Sequence, residues 1–338
     1  MKKIIITGGA GFIGSNLILS LFEKHPDWVI MNIDKLTYAS DSSYLKPLRD
    51  SERYYFKKID LVNRDEVKDI VKTFKPDGVI HLAAESHVDN SITGPEPFIL
   101  SNVLGTFNIL EECRQLWKDD EDDWANNRFL HVSTDEVYGA LGEDGFFTEN
   151  TPYAPNSPYS ASKAGSDMII RSYFHTYGMN VVTTNCSNNY GPHQHDEKLI
   201  PTVIRNAIKN QPIPVYGAGQ NVRDWLFVHD HCSALETAFL KGKAGETYNV
   251  GGNNEWKNLE LIHKICDILN EEVGQGPEGD YKNLISFVTD RLGHDYRYAI
   301  DASKIKNELD WEPSQDFDGM LRQTVLWYIK KYNTPKKA

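Results

Sequence analysis

The chain has 338 residues, with 36 Lys and Arg against 48 Asp and Glu, a formal net charge of −12. At roughly 150 residues per domain, this length fits about two domains or one large α/β unit, and it can bury a core without disulfides or metal. The acidic balance argues against a non-specific nucleic-acid coat, and 40% hydrophobic with 11% aromatic residues argues against disorder. No apolar stretch approaches the roughly 18 residues of a membrane helix, and the short β-branched run Ile4-Ile5-Ile6-Thr7 is too brief for a signal segment.

In chain order, β-branched runs predict strands at Lys3–Thr7, Trp28–Asp34, Tyr54–Lys58, Gly78–Leu82, Arg128–Ser133 and Asn180–Asn185. Helical spacing predicts helices at Phe12–Lys24, Arg64–Phe74, Pro97–Lys118 and Tyr159–Tyr177. Such alternation is that of an α/β, Rossmann-type doubly wound parallel sheet covered by helices. The acidic run Lys118–Asp123 reads as a solvated loop, because packed like charges repel. From about Tyr190 the pattern loosens around Gly191-Pro192, Pro212, Pro214 and Gly217-Ala218-Gly219. This predicts a smaller C-terminal α/β lobe, residues 188–338, interleaved with a sheet domain of residues 1–187. Glu271–Asp280 reads as a surface loop and Thr334–Ala338 as a frayed tail. Cys113, Cys186, Cys232 and Cys266 lack ligand spacing and are expected as buried free thiols in a reducing cytoplasm.

The first strand leads into Gly8-x-x-Gly11-x-x-Gly14, which opens the first helix. Glycines there allow a tight turn and close backbone approach to a pyrophosphate, which the helix N-terminus faces with unpaired N–H groups. The second strand ends at Asp34, 20 residues after Gly14. A carboxylate there accepts hydrogen bonds from an adenosine ribose and repels a 2′-phosphate, which favours NAD over NADP. Its competing reading is a strand-end cap. Asp60 suits either an adenine edge or an Asx turn.

Tyr159 and Lys163 stand at i and i+4 on one helix face. A neighbouring ammonium is expected to lower the phenol pKa toward that of a general base. With the glycine motif, this pair resembles the short-chain dehydrogenase/reductase superfamily, in its extended, sugar-nucleotide-modifying branch. Ser133-Thr134-Asp135-Glu136-Val137-Tyr138-Gly139 follows the fifth strand candidate, where ligands bind in such sheets. Thr134 offers a hydroxyl, and adjacent Asp135 and Glu136 can divide into one acid and one base if their pKa values are pushed apart. The competing reading is a turn with two solvated acids.

This heptad resembles that of the dTDP-glucose 4,6-dehydratase family. So do the stretches Asp34–Ala39, His81–Asp89, Asn188–Pro192, Lys198–Pro201, Arg223-Asp224-Trp225, Lys257-Asn258-Leu259 and Asp290–Asp295. The resemblance implies catalytic roles for Thr134, Asp135, Glu136, Tyr159 and Lys163. It implies an NAD cradle of Gly8, Gly11, Phe12, Ile13, Gly14, Asp34, Lys35, Leu36, Thr37, Asp60, Leu61, Leu82, Ala83, Ala84, Ser86 and Asn189, with Tyr159 and Lys163. It implies a nucleotide-sugar pocket of Ser86, Thr134, Asn188, Lys198, Leu199, Pro201, Tyr216, Arg223, Asn258, Arg291 and His294. The two arginines suit diphosphate oxygens because guanidinium binds bidentately, although a surface salt bridge is the plainer use of either. Leu292 departs from the family's usual proline, and the acidic segment 118–125 also departs from most relatives.

No metal site is expected: His81 and His87 have no completing ligands in the sequence. Met31, Met168 and Met179 read as core fillers. The apolar faces of Pro97–Lys118 and Tyr159–Tyr177 suit either a homodimer bundle or burial on their own sheet. Among rival functions, a nucleotide-sugar 4-epimerase does not need Asp135-Glu136, a GDP-mannose dehydratase usually carries serine in place of Asp135, and a silent NAD sensor would not need Tyr159, Lys163 and the acid pair together. Thymine against uracil in the substrate, and hence a UDP-glucose 4,6-dehydratase, stays open.

Overall fold

The computed structural model describes residues 2–118, 126–290 and 294–333. The expected residues Arg291 and Leu292, the acidic stretch 119–125 and the tail 334–338 lie outside the described residues.

Strand β1 (Lys2–Thr7) leads to helix α1 (Phe12–Lys24), β2 (Trp28–Asp34), β3 (Tyr54–Lys58), α2 (Arg64–Phe74) and β4 (Gly78–His81). After α3 (Val88–Thr93) and α4 (Glu96–Phe98) come α5 (Thr106–Trp117), β5 (Arg128–Thr134), α6 (Pro158–Tyr177), β6 (Val181–Cys186) and β7 (Asn188–Tyr190). The remainder comprises α7 (Leu199–Ile208), β8 (Ile213–Tyr216), β9 (Val222–Phe227), α8 (Val228–Lys241), β10 (Thr247–Val250), β11 (Glu255–Lys257), α9 (Asn258–Val273), β12 (Ile285–Val288), β13 (Arg297–Tyr298), α10 (Ser303–Leu309) and α11 (Phe317–Asn333).

The main sheet is parallel, in the order β10-β6-β5-β4-β1-β2-β3. The order of strand addition switches sides between β1 and β4, so a crevice opens at their carboxyl ends. Ile4, Ile5 and Ile6 are fully buried, Ile4 and Ile6 in one core and Ile5 in the other. A parallel sheet covered on both faces needs such an unbroken apolar run, and each buried side chain contributes about 1.5–3 kcal/mol. The seventh strand, β10, comes from residues beyond 187 and pairs with β6. Smaller sheets link β9 with β11, β13 and β7, and β8 with β12.

Several elements depart from the sequence expectations. The single helix expected over 97–118 is broken: α4 gives way to a π-helical turn, Ile99–Gly105, before α5. Tertiary bonding accounts for it. Buried Asn102 accepts from Glu85 N, donates to Glu85 O, and donates to Ser162 Oγ at 2.8 Å. Helix α9 runs to Val273, so the expected loop starts later. Met31 and Met179 are buried, whereas Met168 is exposed on the outer face of α6.

Candidate active site

The crevice is a cavity of about 320 Å³ that runs from the glycine loop to the ends of β5 and β6. The turn after β1 explains two glycines. Gly8 has φ +71°, and a Cβ on it would lie 2.8 Å from Ala83 N; a Cβ on Gly14 would lie 2.3 Å from Gly8 O. Gly11 caps α1 without a side chain, which leaves first-turn N–H groups for an anion. Asp34 ends β2 inside the crevice and accepts from Ala10 N (3.0 Å), Leu36 N (2.7 Å) and Ser40 Oγ (3.0 Å). It therefore also acts as the strand-end cap, and Leu36 turns with φ +58°. Asp60 is exposed at the crevice wall and accepts from Val62 N in an Asx turn.

Every residue of the expected NAD set except Leu36 lines this cavity. The glycine cradle, the open helix N-terminus and Asp34 fit a dinucleotide. Asn189, at the far wall, is held by buried His231, whose Nδ1 lies 2.8 Å from its Oδ1. Burial pulls His231 down to about 3, so it is a neutral strut.

Helix α6 owes its start to a capping box between Ser157 and Ser160, with Pro158 in the first turn, and its end to Gly178 at φ +69°. It buries Tyr159 and Lys163 at the cavity wall. Their electrostatics differ from the expectation. Burial and the Glu136 charge push the Tyr159 phenol well above its ordinary value, and a hydrogen bond with Thr134 only partly offsets them. Lys163 donates to the carbonyl of Val132 at 2.9 Å; burial lowers the pKa of its ammonium, against a smaller opposing pull from Asp167 and Cys186. Helical spacing correctly puts phenol and ammonium on one face, but it says nothing of where the ammonium bonds.

Strand β5 delivers Thr134, Asp135 and Glu136 to the same cavity. Thr134 Oγ1 caps the following turn by accepting from Glu136 N at 3.3 Å and lies 3.4 Å from Asp135 Oδ1. Asp135 is 2% exposed, and its Oδ2 has no hydrogen-bond partner. Burial, then the charges of Glu136 and Asp224, hold its carboxyl well above the usual range, against a smaller pull from Arg223. A carboxyl group that burial biases toward its protonated form thus stands next to a second carboxyl group at the cavity wall.

Of the expected sugar-nucleotide residues, Ser86, Thr134, Asn188 and Lys198 line the cavity. Leu199 and Pro201 lie in the first turn of α7 beside Lys198, which donates to Ser86 O at 3.2 Å. Tyr216, Asn258 and His294 occupy the smaller lobe: the Tyr216 and His294 rings meet edge-on at 6.5 Å, and Asn258 opens α9. His294 Nδ1 lies 2.6 Å from Asp290 Oδ1. Arg223, in β9, is not among the residues that line the cavity. It is 5% exposed, sits 4.4 Å over the Tyr298 ring and donates to the carbonyls of Val222, Asp295 and Tyr296.

Sequence reasoning missed Cys186, Glu197 and Asp167. Cys186 lines the cavity as a neutral thiol, pushed up to about 12 by burial and Asp135, with Sγ 3.3 Å from Ser133 O. Glu197 gathers His87 at 3.5 Å and His195 at 3.6 Å across the crevice mouth. Only the i+4 spacing of Asp167 from Lys163 could have singled it out. His81 bonds Thr7, the last residue of β1, and Thr106 at 2.7 and 2.8 Å and so ties β1 to α5.

Comparisons with known proteins agree with this geometry. A family model described as GDP-mannose 4,6 dehydratase matches residues 5–324. A dTDP-glucose 4,6-dehydratase of Xanthomonas campestris pv. campestris (strain B100) is 52% identical over 330 residues, covering 97% of this chain and 93% of that protein. The crystal structure of dTDP-glucose 4,6-dehydratase from Bacillus anthracis str. Ames in complex with NAD has a TM-score of 0.86 at 44% identity, covering 98% of this chain and 97% of the other. The dTDP-glucose 4,6-dehydratase of Streptomyces venezuelae, also crystallised with NAD bound, has a TM-score of 0.88 at 40% identity and covers 97% of each chain.

Proposed function

Since the chain belongs to the dTDP-glucose 4,6-dehydratase family, we propose that it removes water across C5–C6 of dTDP-glucose to give dTDP-4-keto-6-deoxyglucose, in deoxysugar (rhamnose-type) biosynthesis. The observation that carries this reading is that buried Asp135 and its neighbour Glu136 share one crevice with Thr134, Tyr159 and Lys163.

The C5 proton of a hexose is not acidic until C4 is a ketone. When bound, NAD supplies reversible hydride acceptance and a positive charge. Gly8, Gly11, Gly14 and Asp34 would hold it against α1. Thr134 bonds the 4-oxygen while Tyr159 takes the 4-OH proton, with Lys163 holding the helix it shares with Tyr159 against the strand at Val132. Glu136 removes the C5 proton, and Asp135 gives its proton to the departing 6-oxygen, which leaves as water. Glu136, which then holds the C5 proton, is placed to give it back to C5. The acid and the base must act on neighbouring carbons, which suits adjacent positions on one turn.

Lys198 in the crevice and Arg291 are the cations that we assign to the diphosphate, while Tyr216, Asn258 and His294 are assigned to the nucleoside end. We also propose a homodimer, because Ile99, Leu100 and Leu104 on the π-helical turn and Met168 on neighbouring α6 are exposed together. A cytoplasmic setting is the accompanying proposal, which the four buried, unpaired thiols support.

Incubation with dTDP-glucose and UDP-glucose side by side, followed by mass spectrometry, tests the activity. The expected product is one water lighter and forms faster from dTDP-glucose without added stoichiometric NAD. A product of unchanged mass would mean epimerisation, and faster turnover of UDP-glucose would reassign the base.

A further inference from the structure

The polar network under the Tyr159–Lys163 pair has a centre that the reaction itself does not use. Asp167 stands one turn beyond Lys163 on α6 and is 4% exposed. Its Oδ1 lies 2.9 Å from His131 Nε2, and its Oδ2 accepts from Ser133 Oγ at 2.8 Å and Tyr153 Oη at 3.0 Å. Lys163 bonds the carbonyl of Val132 between them. Three successive residues of β5 are thus fastened to α6 immediately before Thr134, Asp135 and Glu136.

Tyr153 carries the network onward. Asn185 Nδ2 donates to Tyr153 Oη at 3.2 Å and to Tyr138 Oη at 2.8 Å. Tyr138 closes the turn that bears the acid–base pair and donates to Asn249 Oδ1 at 2.8 Å. Buried bonds therefore connect the helix of Tyr159 with the turn of Asp135 and Glu136.

Charge bookkeeping around Asp167 singles out one partner. His131 on β5 is kept neutral, drawn down to about 4 by burial and by the Lys163 charge. His81 on β4, facing the same ammonium, is likewise depressed. Tyr138 and Tyr153 are pushed above the normal phenol range, and the Cys186 thiol on β6 is also neutral. Lys163 is the cation among these groups, and burial acts to strip its proton while Asp167 opposes this. A buried charge needs such a counter-charge.

We propose that Asp167 is a positioning residue for the reaction: it keeps Lys163 an ammonium on the face it shares with Tyr159, and it locks β5 so that the oxidation pair and the acid–base pair hold one mutual geometry. This rests on the reading of Tyr159 and Lys163 as the oxidation pair.

The test compares Asp167→Asn, Asp167→Glu and Tyr153→Phe as purified holoproteins. In Asp167→Asn the alkaline limb of kcat should move to lower pH by about one unit or more. The Lys163 Cε NMR signal, assigned by its loss in Lys163→Arg, should titrate at correspondingly lower pH. Asp167→Glu restores the charge and should return both readings toward the parent. Tyr153→Phe should lower kcat about tenfold at unchanged KM without moving either reading. An unmoved Lys163 titration in Asp167→Asn overturns the proposal. If that variant does not fold, the other two decide: the proposal requires a kcat loss in both, with the titration in place, and parent-like kcat in both overturns it. Full activity in Tyr159→Phe would instead defeat the oxidation pair itself.

Discussion

Lys163 donates its ammonium to the carbonyl oxygen of Val132 at 2.9 Å, which pins the helix of the phenol to the strand two residues before Thr134. The same side chain therefore serves fold and chemistry. Lys163→Met should remove turnover and, by leaving the buried Val132 carbonyl without its donor, cost about 1–3 kcal/mol in urea unfolding. A parent-like urea midpoint in Lys163→Met would mean that this bond does not hold the helix to the strand.

Asp135 should show opposite effects on stability and activity. Its folded carboxyl holds a proton that the unfolded chain gives up near its ordinary value, so stability falls as pH rises from about 3.9 toward the raised folded value and then levels off. Asp135→Asn removes that loss. Its melting temperature should exceed the parent's at pH 8 but not at pH 4, while kcat drops about 10²–10⁴-fold. Thermal melts at the two pH values check this, and an unchanged difference between them would refute a raised Asp135.

Acid should weaken the fold through buried histidines. His131 and His231 are fully buried and drawn down to about 4 and about 3 by burial. Each stays neutral while the unfolded chain gains a proton below about 6.5, so stability is lost as pH falls from there toward those folded values. Between pH 6.5 and 5 the loss should approach about 2 kcal/mol per residue, read from urea midpoints. Replacing His231 by Gln should flatten the slope, and a parent-like slope would exclude its part in it.

The glycine cradle predicts a cofactor defect separable from folding. A Cβ on Gly14 would lie 2.3 Å from Gly8 O, and overpacking of this kind costs about 1–3 kcal/mol. Gly14→Ala should be purified with far less NAD than the parent, measured by extraction and chromatography. Parent-level NAD would remove this turn from the cofactor site.

Local chemistry made much of this molecule legible in its sequence. Helices α1 and α2 and strands β2 and β3 have the predicted bounds, because β-branched runs and helical periodicity are written locally. The cavity-lining residues of the glycine loop and of Thr134–Glu136 were legible for the same reason, since their spacing carries the chemistry. What escaped depends on distant partners. The π-helical turn exists because Asn102 bonds both Glu85 and Ser162. The raised Tyr159 reflects burial and Glu136, and Arg223 is engaged by carbonyls some seventy residues away. Helical spacing could not disclose any of these.

The outer strand β10 belongs to the chain beyond residue 187, yet it completes the sheet that carries the glycine loop. A recombinant fragment ending at 187 would expose the flank of β6 as an open template for pairing with other chains. Exchanging the C-terminal part for that of a relative would therefore exchange a structural strand along with the pocket, so the new β10 has to match the flank of β6 as well as the substrate.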